Sequence, residues 1–203
     1  PLTGALTGAG ATAVLQSSSA TAVAAVGFVS AGLMTFENAV GIILGANLGT
    51  TITGWMVAIL GFKLKLAAVV LPFIFVGAAM RLFMRGRWSH AGLGLAGFGL
   101  IFVGISTMQE AMVALESILD FSHISADSWT SRLQLVLLGL VFTAITQSSS
   151  AGVALTLTAL FSGLIEFEQA AALVIGMDVG TTITSALASI GGNSETKRTG
   201  YSH

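Results

Sequence analysis

The sequence predicts an all-α integral membrane protein made of two inverted-topology repeats, each a re-entrant helical hairpin followed by a broken transmembrane helix, with additional spanning helices between them. Three observations lead there. The 203 residues are 54% hydrophobic and only 8% charged, where soluble domains carry about 25% charged residues. Displacing the chain by about 131 positions lays Gln16–Thr53 on Gln147–Thr184 without a gap, and roughly sixteen of the thirty-eight pairs are identical. Several apolar segments are also too short for a bilayer, which needs about 20 helical residues to cross.

The elements follow in order. Leu2–Leu15 and Ala20–Met34 are each about 14 or 15 residues, some 22 Å as helix, and flank the polar QSSS of Gln16–Ser19. They suit a hairpin with QSSS at its tip. Ala39–Phe62 is long enough to cross but holds ANLGTT at 46–51, so a break is expected there. Leu66–Met84 and Ala91–Ala111 read as ordinary spans, the first expected to bend at Pro72. The second unit repeats the first: arms Leu133–Thr146 and Ala151–Ile165 around Gln147–Ser150, then Ala170–Ile190, expected to break at MDVGTT, 177–182. If hairpins do not cross, three crossings separate the copies, and an odd number turns the second copy over.

The chain thus divides into a first repeat (1–62), connecting helices with an external linker (63–131) and a second repeat (132–203). Its abrupt ends suggest the core of a larger protein, and PLTGALTGAG lacks the basic start of a signal peptide. Arg81, Arg85, Arg87, Lys197 and Arg198 fall on one side, against Lys63, Lys65 and Arg132 on the other. That bias makes the first side cytoplasmic and places the linker, with Glu116, Asp120 and Asp127, outside.

Composition excludes several chemistries. A net charge of −1 offers no basic face for nucleic acid, and the absence of cysteine removes disulfides and thiolate sites. GTTIT lacks the lysine of a phosphate loop. A serine hydrolase would need a GxSxG elbow or a histidine beside Ser18 or Ser149, and neither is present; His90, His123 and His203 fall in predicted loops or at the terminus and receive no chemistry.

Polar groups at membrane depth must face protein or a wet cavity. The serines at 17–19 and 148–150 supply hydroxyls, Gln16 and Gln147 supply amide donors and acceptors, and half-helix N-termini add free N–H groups, a set suited to a small oxyanion. Asn47, Thr50, Thr51, Asp178, Thr181 and Thr182 offer hard oxygen atoms for a small cation such as sodium. Asp178 is the sharpest single residue, because an intramembrane carboxylate is functional by default, although capping a half-helix is the plain alternative. Gly41, Gly45 and Gly49 are equally well explained by helix packing. Glu37 and Glu168 sit at segment boundaries, where capping or solvation suffices.

At QSSSA followed by GANLGTTITG, and again QSSSA followed by GMDVGTTITS, the chain resembles the type II sodium-dependent phosphate cotransporters, including their bacterial members. The resemblance runs through LAGFGLIFVGISTM to the tail KRTGYSH. It implies secondary active transport of inorganic phosphate by alternating access in a single transport domain, through elevator-like or rocking exchange. Sodium ions would be the coupling ions, with no organic cofactor. Phosphate would bind at Gln16, Ser17, Ser18, Ser19, Gln147, Ser148, Ser149 and Ser150. Sodium would bind at Asn47, Thr50, Thr51, Asp178, Thr181 and Thr182, with Ser18 and Ser149 shared. A bacterial inner membrane is the implied location; an oligomer is left open. Asp178 stands where the family usually has asparagine, and the disulfide-bearing loop of animal members is missing. A passive anion channel and a phosphate exporter of the same family are the alternatives.

Overall fold

The computed structural model describes residues 2–59, 67–116, 126 and 128–203. Among these, all regular structure is helical: α1 (Leu2–Leu15), α2 (Ser18–Ser30), α3 (Phe36–Met56), α4 (Ala67–Phe83), α5 (Arg87–Glu116), α6 (Trp129–Thr146), α7 (Ser149–Phe161), α8 (Phe167–Ala188) and α9 (Ser194–Tyr201). The helices at 36–59, 87–111, 129–146 and 167–188 are long and apolar enough to cross a membrane. Lys63, Lys65, Asp120, His123 and Asp127, and the side chain of Glu116, lie outside the described residues.

Burial follows the logic of lipid rather than water. Leu2, Val14, Phe83, Trp129 and Ile145 are each more than three-quarters exposed, whereas the interior is largely alanine, glycine, serine and threonine. Lipid tails are as apolar as leucine, so small residues that let backbones approach are what gains from burial.

That approach is closest between α1 and α3. A methyl on Gly8 would strike the backbone of Ile42, one on Gly45 the carbonyl of Ala5, and one on Gly49 the carbonyl of Ala9. Contact positions rise together along both helices, so α1 and α3 run parallel. The second copy repeats this: Gly139 meets Leu173, Gly176 meets Val136, and Gly180 meets Leu140. The helices α4 and α5 pair across Gly77, Gly92 and Gly99 after a turn at Gly86, whose φ is 61°.

Each second arm ends alike. Gly32 (φ 70°) and Gly163 (φ 75°) follow α2 and α7. Leu33 N–H donates to Phe28 O and Gly32 N–H to Val29 O; Leu164 to Ala159 and Gly163 to Leu160 match them. This paired closure needs a left-handed residue, which glycine adopts without strain. Then α3 and α8 begin with Glu37 and Glu168 in their first turns, where carboxylates favour the helix dipole. The copies interlock, α2 packing on α8 and α7 on α3.

Two expectations need correction. The breaks at 46–51 and 177–182 are absent: α3 and α8 run through both motifs. Their threonines satisfy the helix instead of disrupting it, Thr50 Oγ1 donating to Ala46 O and Thr181 Oγ1 to Met177 O, while the glycines serve the close packing. The first arm of the second hairpin, expected over 133–146, begins at Trp129 and reaches 18 residues, because Ser128 caps it by accepting from Ser131 N–H. Among the described residues α4 covers Ala67–Phe83 and continues through Pro72.

The copies differ at a buried bond beneath the tips. Thr12 Oγ1 donates to Thr21 Oγ1 at 3.0 Å. In the second copy Gly152 replaces Thr21, the Met177 side chain fills the space, and the hydroxyl of Thr143, 2% exposed, is left with no partner.

Gly45→Leu is expected to cost on the order of 3 kcal/mol by forcing α1 off α3, whereas Gly97→Leu, where a side chain meets open space, leaves thermal unfolding in detergent unchanged. Thr143→Val should hold or raise the unfolding temperature, while Thr12→Val lowers stability by about 0.6 kcal/mol.

Candidate functional site

Each hairpin tip is two residues long. Gln16 and Gln147 are left-handed, both with φ 54°, a conformation costing roughly 1–2 kcal/mol in a residue with a side chain. It ends the first arm and reverses the chain, with Gln16 N–H on Thr12 O at 2.7 Å and Gln147 N–H on Thr143 O at 2.8 Å.

Two side-chain bonds hold each glutamine there. Gln16 Nε2 donates to Ala13 O at 2.6 Å, and Gln16 Oε1 accepts from Thr53 Oγ1 at 2.8 Å. Gln147 Nε2 donates to Ala144 O and Gln147 Oε1 accepts from Thr184 Oγ1, both at 2.7 Å. Thr53 and Thr184 are the last threonine of each GTTIT motif. Thus the repeated QSSS and the repeated GTTIT are the two ends of one contact, which ties each tip to a long helix.

The serines divide by role. Ser17 and Ser148 are N-caps whose Oγ atoms accept from Ala20 N–H at 3.1 Å and Ala151 N–H at 3.2 Å. Ser18 and Ser149 are buried at the first turns of α2 and α7. Among the described residues, the hydroxyls of Ser18, Ser19, Ser149 and Ser150 make no hydrogen bond. Beside them lie first-turn N–H groups without side-chain caps, so hydroxyl and N–H donors stand together at two helix N-termini.

A cavity of about 250 Å³ brings the tips together: Gln16 and Thr53 line it from one copy, Ser150, Ala151 and Ala154 from the other. Its remaining wall is apolar and comes from α3 and α5, including Phe102, Ile105 and Met108.

The expected cation ligands lie on intact helix. Thr51 Oγ1 donates to Leu48 O and Thr182 Oγ1 to Val179 O, both at 2.7 Å. A hydroxyl that spends its proton this way keeps only lone pairs, which suits a hard cation. Thr50 and Thr181 are buried, while Asp178 is exposed on α8. Asn47 is half-buried and has a partner the sequence did not suggest: its Oδ1 lies 2.9 Å from His203 Nε2, and His203 Nδ1 lies 2.6 Å from Ser185 Oγ. Burial holds the His203 imidazole below the usual histidine range. Nothing in the sequence places His203 here, since it lies beyond the repeated segment. It arrives because Gly200 lets α9 fold against Ser185 and Ser189 of α8, while Arg198 stacks 4.8 Å over Phe36.

Residues 1–110 and 117–196 match the family described as Na+/Pi-cotransporter. The chain is 34% identical over 198 residues to the "Uncharacterized protein YqeW" of Bacillus subtilis, covering 95% of this chain and 61% of that one. It is 34% identical over 194 residues to the "Putative inorganic phosphate export protein YjbB" of Escherichia coli K12, covering 94% of this chain and 34% of that protein. A Salmonella typhimurium protein of the same name is also 34% identical, over 195 residues. The chain therefore spans less than two thirds of the length of these curated relatives. No solved structure matches it.

Gln16→Ala is expected to cost about 2 kcal/mol, from two lost side-chain bonds and a left-handed alanine. Gln16→Gly should recover about 1 kcal/mol of that. Equal unfolding temperatures for the two variants would show that the tip carries no backbone strain.

Proposed function

Because the chain belongs to the Na+/Pi-cotransporter family, we propose that it is the core of a secondary transporter coupling sodium to the movement of inorganic phosphate by alternating access. One observation carries this reading: Gln16 of the first hairpin tip and Ser150 of the second, whose hydroxyl is unengaged, line one cavity. Phosphate, doubly or singly charged near pH 7, matches N–H and O–H donors at a positive dipole end. Ser18, Ser19, Ser149 and Ser150 would donate to it directly. Gln16 and Gln147 would hold the tips in shape, each keeping one amide N–H for substrate.

Sodium would bind through lone pairs of Thr51 and Thr182, aided by Asn47 and the Asp178 carboxylate. A cation there raises the affinity of the tips for an anion, and by reciprocity the anion raises that for the cation. That linkage turns a binding site into a coupled carrier.

The packing also supports inverted topology. Asn47 and Ser185 meet through His203. Under the repeat their counterparts are Asp178 and Gly54, so a two-fold axis placing both pairs together requires α3 and α8 to run antiparallel. The mutual packing of α2 on α8 and α7 on α3 agrees, and such an axis lies in the membrane plane.

The relatives named for phosphate export favour a second reading, in which the same site runs outward. A bacterial inner membrane fits either direction. Proteoliposomes holding the chain should take up labelled phosphate saturably with an inward sodium gradient and not with an equal potassium gradient. Export would appear as sodium-dependent efflux from phosphate-loaded vesicles. Non-saturable flux without counterflow would instead mark a passive anion channel.

Ser18→Ala or Ser149→Ala should reduce uptake at least tenfold, about 1.4 kcal/mol or more for one hydrogen bond to a charged group, without lowering the unfolding temperature. Gln16→Ala or Gln147→Ala should abolish uptake in folded protein. Full uptake by both glutamine variants would remove the tips from the mechanism.

A further inference from the structure

We infer that His203 is a positioning residue for Asn47: a relay from Ser185 through the imidazole orients the Asn47 carboxamide and thereby sets sodium affinity at the α3 motif. This rests on the proposed reading of Asn47 as a sodium ligand.

Two hydrogen bonds run through the imidazole. A carboxamide oxygen only accepts, so Nε2 of His203, 2.9 Å from Asn47 Oδ1, carries the proton. A neutral ring then has Nδ1 as its acceptor, and the Ser185 hydroxyl, 2.6 Å away, donates to it. Ser185 is fully buried and its hydroxyl has no competing solvent. Ser185 thus anchors the ring from α8, and the ring presents its Nε2–H to the Asn47 oxygen on α3. An outer ligand partner of this kind leaves the second lone pair of Oδ1 for a cation while preventing the amide from turning its N–H₂ towards it.

The relay joins the two copies and exists on one side only. The counterpart of Ser185 is Gly54, which has no hydroxyl to anchor a ring, and the counterpart of Asn47 is Asp178, whose two oxygens are equivalent and need no orienting. Asn47 is the member of the pair for which orientation decides between ligand and repulsion. The glycine contacts of α9 with Ser185 and Ser189 hold the histidine at the required depth.

The test combines a spectroscopic and a transport readout. In the chain carrying His90→Gln and His123→Gln, the ¹⁵N imidazole spectrum should report His203 as neutral with Nε2 protonated, Ser185→Ala should convert it to a tautomer mixture, and sodium should shift the Nε2 signal where potassium does not. In proteoliposomes, His203→Ala should raise the sodium concentration for half-maximal uptake about tenfold, the scale of lost outer-ligand partners, with phosphate half-saturation at high sodium moving less than about twofold. His203→Gln, which restores a donor, should recover part of the loss. A protonated Nδ1, a spectrum indifferent to Ser185→Ala, or a fall in maximal rate with sodium half-saturation unmoved would each overturn the assignment. Sodium-independent uptake by the unsubstituted chain would overturn the coupling reading, and with it the sodium role of the relay, while the tautomer signature separates that outcome from a misplaced histidine.

Discussion

The backbone contact of α1 with α3, and of α6 with α8, is the constraint on which the other features depend. Glycines 4, 8, 45 and 49 bring one pair together, and 139, 176 and 180 the other. Because the helices are parallel and touch along their length, their register is fixed residue by residue. The end of α1 can then fall only beside Thr53, and the end of α6 only beside Thr184. A bulky residue anywhere along the seam would separate tip from anchor several turns away. The glycine pattern and the QSSS motif are therefore one device, since the first delivers the second to its partner.

Divergence between the copies separates what this device must keep from what it can exchange. Tip geometry is preserved to within a few degrees and a few tenths of an ångström: the same left-handed glutamine, the same amide bond to the arm, the same threonine anchor and the same serine cap. One turn below, the contents change. Thr21 and Ala46 of the first copy become Gly152 and Met177, so a hydroxyl pair gives way to a thioether over a bare backbone. Volume is conserved and the hydrogen bond is not. Methionine fills such irregular space readily, and the orphaned Thr143 hydroxyl marks a tolerated loss beneath a tip that is held from elsewhere.

Much of this was legible in the sequence. The limits of α1, the position of both tips and the repeat followed from counting residues and shifting the chain, because length and identity are local properties. The supposed breaks were misread for a physical reason: glycine and paired threonines weaken a helix in isolation, yet here the hydroxyls bond back to carbonyls of their own helix and the glycines admit a neighbour. No one-dimensional pattern distinguishes unwinding from close packing. That the glutamines also hold the tips to the long helices has no local signal, because their bonds to Thr53 and Thr184 span 37 residues. The part played by His203 was invisible, since it depends on α9 turning back against α8, far from the motifs in sequence.

The two halves share a scaffold and differ where charge is concerned, and that difference bears on coupling. With identical motifs, a two-fold carrier would present the same neutral ligand set in both halves. Here one half has a carboxylate, Asp178, with Gly54 at the position equivalent to Ser185, and the other a carboxamide, Asn47, held through an imidazole by a serine. The exchange is self-consistent. A histidine N–H beside Asp178 would compete with a cation for the very charge that attracts it, and Gly54 provides no hydroxyl to keep such a histidine in place. Beside Asn47 the same N–H costs little, because a neutral amide depends on orientation more than on charge. On the proposed sodium-coupled reading, the asymmetry would give one half attraction and the other geometry, and so two cation sites of unequal strength around a shared anion.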